Sequence, residues 1–295
     1  MSIFCLGEVL VDRVDGSRYP GGAPANVASH ISALGARVEM VSRVGKDEPG
    51  RELAKWLGSK SIGVRFVQVD AAWPTGSVDV LPGPRYEIAA PSAWDFIELS
   101  GEALSATASA GAVVFGTLAQ RRPVSRSTIR ALVEAARASG VPVLCDLNLR
   151  APFFDEESIL WSLRHCSVLK LNREELDIVS GLLGASGPRE DLFTGMLREF
   201  GLAQGVLTEG EEGAFLYERG EVSRHVTEAV AKVADTVGAG DAFTAVLSLA
   251  LSRGISLSEA AAPAAALAAY VVSQEGATPE IPRELVARIN AMLGA

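Results

Sequence analysis

The sequence predicts an α/β fold: a mostly parallel sheet covered on both faces by helices, with a smaller β excursion. Three observations predict it. Short apolar runs alternate with helical patterns along most of the 295 residues, as repeated βα units require. Around 64–90 that rhythm breaks into short, partly alternating segments split by Pro74, Pro82, Gly83 and Pro84, which read as antiparallel strands leaving the main sheet. The length suffices for one large core, or one core with a small appendage.

In chain order, Ile3–Leu10 is an apolar first strand that ends among acids. A helical pattern over Ala23–Leu34 stops at Gly35, a frequent C-cap residue. Val38–Val44 is β-like and Glu52–Leu57 helical. A short buried strand, Val113–Phe115, precedes a helix through Ser127–Ala138 that stops at Gly140. Then come strand Val141–Asp146, helix Glu156–Arg164, strand Val168–Leu171, helix Glu174–Leu183 and strand Gly205–Thr208. Two long apolar helices, at about 239–252 and 257–274, fill the C-terminal third. No internal repeat or low-complexity tract is present.

Composition narrows the function. With 27 Lys+Arg against 36 Asp+Glu the formal charge is −9, which argues against general affinity for nucleic acid or an anionic membrane but leaves room for a local anion pocket. Hydrophobic residues at 48% and charged ones at 21% describe an ordinary globular chain. The three cysteines, Cys5, Cys145 and Cys166, form no C-x-x-C pair, so a disulfide scaffold or zinc ribbon is not expected and a reducing, cytoplasmic setting is. The opening MSIFCLGEVLVD lacks a basic region and reads as a strand, not a signal peptide. The apolar stretch 260–272 is too short for a membrane span and contains Pro263, so a buried helix is expected.

Five segments carry candidate chemistry. Asp235-Thr236-Val237-Gly238-Ala239-Gly240-Asp241 precedes an apolar helical run. Small residues there allow close ligand approach, and a helix start offers free N–H groups to phosphate, with Asp241 placed to take a proton from a hydroxyl. The plainer reading is a glycine turn with an acid that suits the helix dipole. Pro20-Gly21-Gly22-Ala23-Pro24-Ala25-Asn26 is either a polar-ligand loop or an ordinary strand–turn–helix link. Asn172 and Glu175 follow a strand and share one side of a helical turn; Glu175 suits a hydrated magnesium ion, or both belong to an acid-rich helix start. Thr208 through Gly213 is either a nucleotide loop or a hairpin turn. In Asp146-Leu147-Asn148-Leu149-Arg150 the polar side chains would share one side if strand geometry persists, and Arg150 is either an oxyanion contact or part of a local salt bridge.

No G-x-x-x-x-G-K-[ST], G-x-G-x-x-G after the first strand, H-E-x-x-H or G-x-S-x-G occurs, which disfavours P-loop, nicotinamide-dependent, zincin and serine-hydrolase chemistry. His30, His165 and His225 are scattered and read as satisfied or surface residues, and the cysteines as small buried hydrophobes.

Together the segments resemble the ribokinase-type (phosphofructokinase-B-type) carbohydrate kinases, nearly end to end. Gly21-Gly22 through Asn26 and Ala28 to Gly35 and Gly45 fits the N-terminal signature, Val44–Gly50 the segment after it, and Asp235–Asp241 the C-terminal signature. Val246 departs from the family's Gly or Ala inside the last signature helix. Within the family, Tyr86–Ile88, Ala93–Ile97, Phe115–Arg121 and Asp146–Arg150 look most like fructokinase-like members.

The resemblance implies one ribokinase-like domain over 1–295, with a Rossmann-type sheet and a β lid from about 11–20 and 64–90. It implies ATP-dependent phosphorylation of a small sugar, fructose first, with ribose, a keto-deoxy sugar acid or a nucleoside as rival acceptors. A sugar or nucleotide sensor without catalysis is the rival from another class. By resemblance Asp241 is the base and Gly238, Ala239 and Gly240 form the anion hole. Asp12, Gly21, Gly22, Asn26 and Arg150 bind the sugar. Asn172, Thr208, Gly210, Gly213 and Gly276 serve the nucleotide, Glu175 magnesium through water, and Asp235 a monovalent cation such as potassium. It also implies a homodimer through the lid, which carries Trp73, Val78, Val80 and Tyr86, and no nucleic-acid or membrane partner.

Overall fold

The computed structural model describes residues 1–14, 16–81, 85–225 and 233–294. The chain opens with β1 (Ile3–Leu6), turns at Gly7 with φ 141°, and continues as β2 (Leu10–Val14) and β3 (Ser17–Gly21). Next come α1 (Ala23–Ala33), β4 (Val38–Gly45), α2 (Glu48–Ser59) and β5 (Gly63–Asp70). β6 (Gly76–Leu81) and β7 (Arg85–Ile88) precede α3 (Gly101–Thr107), β8 (Ala112–Phe115) and α4 (Pro123–Ala138). The run β9 (Val143–Asp146), α5 (Glu156–His165), β10 (Val168–Asn172) and α6 (Arg173–Leu182) leads to α7 (Arg189–Glu199) and β11 (Gln204–Thr208). The chain ends with β12 (Ala214–Glu218), β13 (Glu221–His225), α8 (Ala239–Ser252), α9 (Leu257–Val272) and α10 (Arg283–Met292).

Nine of the described strands form one sheet in the order β13-β12-β11-β10-β9-β8-β1-β4-β5, and four form a second, β3-β2-β6-β7. The large sheet is parallel from β5 to β11, and β12 and β13 extend it antiparallel. Its core alternates by face, as the period of two demands. Ile3 and Cys5 of β1, with Ala112, Val114, Leu144 and Val168, meet α1, α8, α9 and α10. Phe4 and Leu6, with Val113, Phe115, Leu169 and Leu171, meet α4, α5, α6 and α7. Each large aliphatic side chain fully buried this way contributes about 1.5–3 kcal/mol. α8 is apolar on every side because it lies between α1 and α9, with ten of its residues buried.

β1 pairs with β4 on one side and β8 on the other. The strand order therefore reverses at β1, and the crevice outside the carboxyl ends of β1 and β8 is the switch point where open α/β sheets bind ligands.

Two expectations are corrected. The run Ile3–Leu10 is not one strand: the chain leaves the strand conformation at Gly7, φ 141°, where only glycine fits because a Cβ would meet Pro24 Cγ at 2.9 Å. Residues 64–70 do not leave the main sheet; β5 pairs parallel with β4 as its edge strand. Proline spacing placed them with the excursion, but the turn that divides the sheets comes after Asp70, whose carboxylate accepts from the N–H groups of Ala72 and Trp73 at 2.7 and 3.0 Å. Within the smaller sheet β6 and β7 pair antiparallel, as expected, and β2 joins them by pairing parallel with β6. The Pro82–Pro84 part of the expected excursion lies outside the described residues, as do the Val80 and Tyr86 side chains. Trp73 stacks on Phe96 at 4.9 Å and Val78 is buried. The three cysteines are free and buried, as expected. Among the described residues no helix is long and apolar enough to cross a membrane.

Candidate functional site

The two glycine segments meet. α1 begins at N-cap Gly22 and α8 at N-cap Gly238, and the helices lie against each other. Asn26, in the first turns of α1, donates its Nδ2 hydrogen to Asp241 Oδ2 at 2.8 Å across 215 residues of sequence. Both N-caps lie at positive φ, 104° and 82°, where an L side chain is strained. Space excludes a side chain as well: a Cβ on Gly22 would meet the Glu8 carbonyl oxygen at 2.5 Å, and one on Gly238 the Ala277 carbonyl oxygen at 2.5 Å. A Cβ on Gly21 would collide with the Asp12 carboxylate, which fixes β3 against β2. Neither helix start carries a side-chain cap, and the Ala239 N–H meets only the Thr236 carbonyl at 3.5 Å, so the first turn of α8 is open to an anion.

Acids crowd this crevice. Burial pushes the Asp241 carboxyl up to about 6; Asp146 adds to the rise, while the Asn26 hydrogen bond, Lys170 and Arg150 oppose it. Burial pushes Asp12 up to about 6 and Glu8 to about 7, with Asp241 raising both and Arg150 lowering both. Arg150 is thus the cation within electrostatic reach of all three. One buried polar atom waits for a partner: Asn26 Oδ1 accepts no hydrogen bond while its amide nitrogen holds Asp241. Such an orphan is costly unless a ligand hydroxyl supplies the proton.

Other expected residues fall nearby or apart. Asn172 and Glu175 cap α6: Asn172 Oδ1 accepts from the Glu175 N–H at 3.0 Å, and Glu175 Oε2 from the Asn172 N–H at 2.9 Å. Glu175 Oε1 accepts from the Leu149 N–H at 2.9 Å. Each Glu175 oxygen therefore keeps a lone pair for a water of a hydrated magnesium ion. Among the described residues no group of three or more His, Cys, Asp and Glu side chains is placed to cage a metal. The donor set fits an ion that keeps its waters and shares phosphate oxygens.

The segment Thr208–Gly213 links β11 and β12 as a hairpin, with Gly210 at φ 60° and Gly213 at φ 102°. Thr208 Oγ1 donates to the Leu171 carbonyl at 3.4 Å. Gly276, at φ 78°, adjoins Ala277, which packs on Gly238. Asp235 Oδ1 accepts from the Val237 N–H at 3.0 Å in an exposed turn.

The expectation that Asp146, Asn148 and Arg150 share one strand side is overturned. β9 ends at Asp146, and Asn148 adopts φ 44°. Asp146 turns inward instead, accepting from Lys170 Nζ at 2.9 and 2.8 Å and from Thr244 Oγ1 at 2.6 Å.

Sequence reasoning missed Glu8 and Lys170, whereas His30, read as a satisfied or surface residue, is satisfied inside the protein. His30 is buried and bonds through Nε2 to the Ala277 carbonyl at 3.0 Å, so α1 grips the loop behind Gly238 as well as Asp241. A lysine inside the apolar strand Val168–Leu171 was the available signal, since a buried lysine must be paired. A cleft of about 870 Å³ lies at the other end of the sheet, by Val141, Ser167 and Gln204 at the amino ends of β9–β11.

With this geometry in place, comparison with known proteins defines the class. The model of the pfkB family of carbohydrate kinases matches residues 3–284. The chain belongs to that family, so it is a carbohydrate kinase. A fructokinase of Klebsiella pneumoniae is 33% identical over 95% of this chain and 96% of its own. The bifunctional protein HldE of Halorhodospira halophila is 29% identical over 96% of this chain, which spans only 58% of that relative. Among solved structures, a fructokinase double mutant from Vibrio cholerae O395, in a form with fructose, ADP and potassium ion bound, superposes with TM-score 0.83 at 26% identity, covering 99% of this chain and 98% of the other. The fold is the ribokinase-like α/β architecture.

Proposed function

We propose that the protein transfers the γ-phosphoryl group of ATP to a primary hydroxyl of a small sugar, fructose first. The observation that carries the reading is the Asn26–Asp241 hydrogen bond, which joins the two glycine-lined helix starts across one crevice. Kinship with a fructokinase supports the acceptor.

In this reading the sugar sits between the small sheet and the carboxyl ends of β1 and β8. Asp12, Arg150, Asn26 Oδ1 and the backbone at Gly21 and Gly22 hold its hydroxyls. Asp241 Oδ1 takes the proton of the attacking hydroxyl while Asn26 holds Oδ2 in place. The N–H groups at Gly238, Ala239 and Gly240 face the equatorial oxygens of the transferring group. Thr208, Gly210, Gly213, Asn172 and Gly276 line the nucleotide side, Glu175 holds a magnesium water, and Asp235 serves a monovalent cation such as potassium. Bound magnesium supplies charge neutralisation at the phosphates. The small sheet, β3-β2-β6-β7, acts as the lid that keeps water from the phosphoryl group. Its two edges, β3 and β7, suit pairing with a second copy, with Tyr19 of β3 exposed at 55%. Three free cysteines fit work in the cytoplasm.

An acceptor panel of fructose, ribose, a keto-deoxy sugar acid and a nucleoside, assayed with MgATP and read by phosphorus NMR, tests the reading. Fructose with the highest kcat/KM and phosphate on a primary carbon is expected. A higher kcat/KM for another acceptor replaces the substrate but keeps the base.

A further inference from the structure

The mechanism above leaves the buried Lys170–Asp146 charge pair, which lies beside the crevice, without a task. Among the described residues Lys170 is the one lysine in the interior, 5% exposed, and its partner Asp146 is 8% exposed. Both Asp146 oxygens accept from Lys170 Nζ, at 2.9 and 2.8 Å, and Thr244 of α8 donates to Oδ2 at 2.6 Å. An apolar pair of similar volume would commonly be at least as stable, so stability alone does not explain a buried ion pair here.

Its position offers an explanation. A Cβ on Gly240 would lie 3.2 Å from Lys170 Nζ, so the ammonium sits directly behind the first turn of α8. Burial alone would depress the ammonium, but Asp146, with Glu175 and Asp241, holds it above its ordinary range. The surrounding crevice is acidic: Glu8, Asp12, Asp146, Glu175 and Asp241 stand against Arg150 and Lys170. A polyphosphate entering it needs fixed positive charge. The two Asp146 contacts leave the third hydrogen of the ammonium over, and Gly240 lacks the side chain that would separate it from the turn.

We propose that Lys170 is a positioning residue for phosphoryl transfer: held by Asp146 and Thr244 behind Gly240, its ammonium acts through the first turn of α8 to stabilise the charge that develops on the transferring group. The proposal rests on the reading of that turn as the phosphoryl cradle.

Lys170→Met alone would strand a buried Asp146 carboxylate, so the informative variant is Lys170→Met with Asp146→Asn, which removes both charges and keeps an acceptor for Thr244. The expected result is a folded enzyme with KM for sugar and MgATP within about threefold of the parent and kcat lower by about 100-fold. Affinity for MgADP with aluminium fluoride and sugar, a mimic of the transferring group, should fall by a similar factor while affinity for MgADP alone holds. Recovery of kcat to within about threefold of the parent would show that the lysine merely neutralises Asp146, and would overturn the proposal, as would a loss confined to KM. If the double variant does not fold, Thr244→Val, which frees one Asp146 contact, should lower kcat about fivefold at constant KM; unchanged kcat overturns the idea equally. Asp241→Asn is measured alongside. Near-normal turnover in that variant defeats the base assignment, whereas a dead Asp241→Asn beside a fully active double variant defeats only the role of Lys170.

Discussion

The starts of α8 and α9, two consecutive apolar helices, place an acid at the same third position and use it in opposite ways. At α9, Ser256 and Glu259 form a capping box: Ser256 Oγ accepts from the Glu259 N–H at 3.2 Å, and Glu259 Oε2 accepts from the Ser256 N–H at 3.2 Å. Glu259 is exposed, and hydrogen bonds from Ser256 hold its carboxyl below the usual range. At α8 the N-cap is Gly238, which has no side chain to offer, and Asp241 is bonded to Asn26 of a different helix while burial lifts its carboxyl to about 6. One start spends its acid on its own backbone. The other leaves its start without a side-chain cap and shares its acid with a second helix. A helix terminus left open and lined with glycine is costly to keep, and under the proposed function this contrast marks the site better than the glycines do.

The largest expected break in the comparison is catalytic. Asp241→Asn should lower kcat about 10³–10⁴-fold with nucleotide binding retained, the scale of losing a general base, whereas Glu259→Gln should leave kcat unchanged. Steady-state kinetics with a nucleotide-binding titration checks both. Next, Gly238→Ala must hold a left-handed φ, which costs about 1–2 kcal/mol, and must also displace the Ala277 backbone. A lower melting temperature together with a kcat loss greater than tenfold is expected, and an alanine variant with parental kcat would mean that the turn does not touch the phosphoryl group.

The pH dependence sharpens the same contrast. The rise of kcat/KM should have its acid limb near pH 6, where Asp241 ionises. Asp241, raised from 3.8, binds its proton more tightly in the folded chain, so its contribution to stability declines as pH rises from that value through about 6. Glu259, lowered from 4.5, contributes stability above that value and loses it as pH falls. Thermal melts of the parent, Asp241→Asn and Glu259→Gln across the acid range should therefore diverge in opposite directions, Asp241→Asn gaining on the parent toward neutral pH. The smallest effect belongs to Ser256→Ala, a lost cap of about 0.5–2 kcal/mol visible by denaturant melting with kinetics intact.

The elements legible in the sequence were those set by local signals. Strands Val113–Phe115, Val168–Leu171 and Gly205–Thr208, and the helix that stops at Gly35, follow from apolar runs and glycine stops. The edge strand β5 was misplaced because proline spacing marks where a chain turns, not which sheet it joins afterward. The Asn172–Glu175 pair was readable both as a cap and as a ligand pair; the structure shows the cap, and the two uses are compatible because each Glu175 oxygen accepts only one N–H. The Asp146–Arg150 stretch was read too regularly, because alternation in sequence says nothing about where hydrogen bonding stops. Asn148 leaves the strand conformation two residues after β9 ends.

What the sequence by itself determined was the set of parts: parallel βα units, two glycine-rich helix starts, and an acid in the turn of one of them, since periodicity, φ preference and capping chemistry act over a few residues. Only the tertiary structure decided which parts meet. Asn26 reaches Asp241, His30 reaches Ala277, and Lys170 comes to lie behind Gly240, because the reversal of strand order at β1 folds distant segments onto one crevice. Burial there, a property of the packed whole, raises the proton affinity of a surface-type residue such as Asp241.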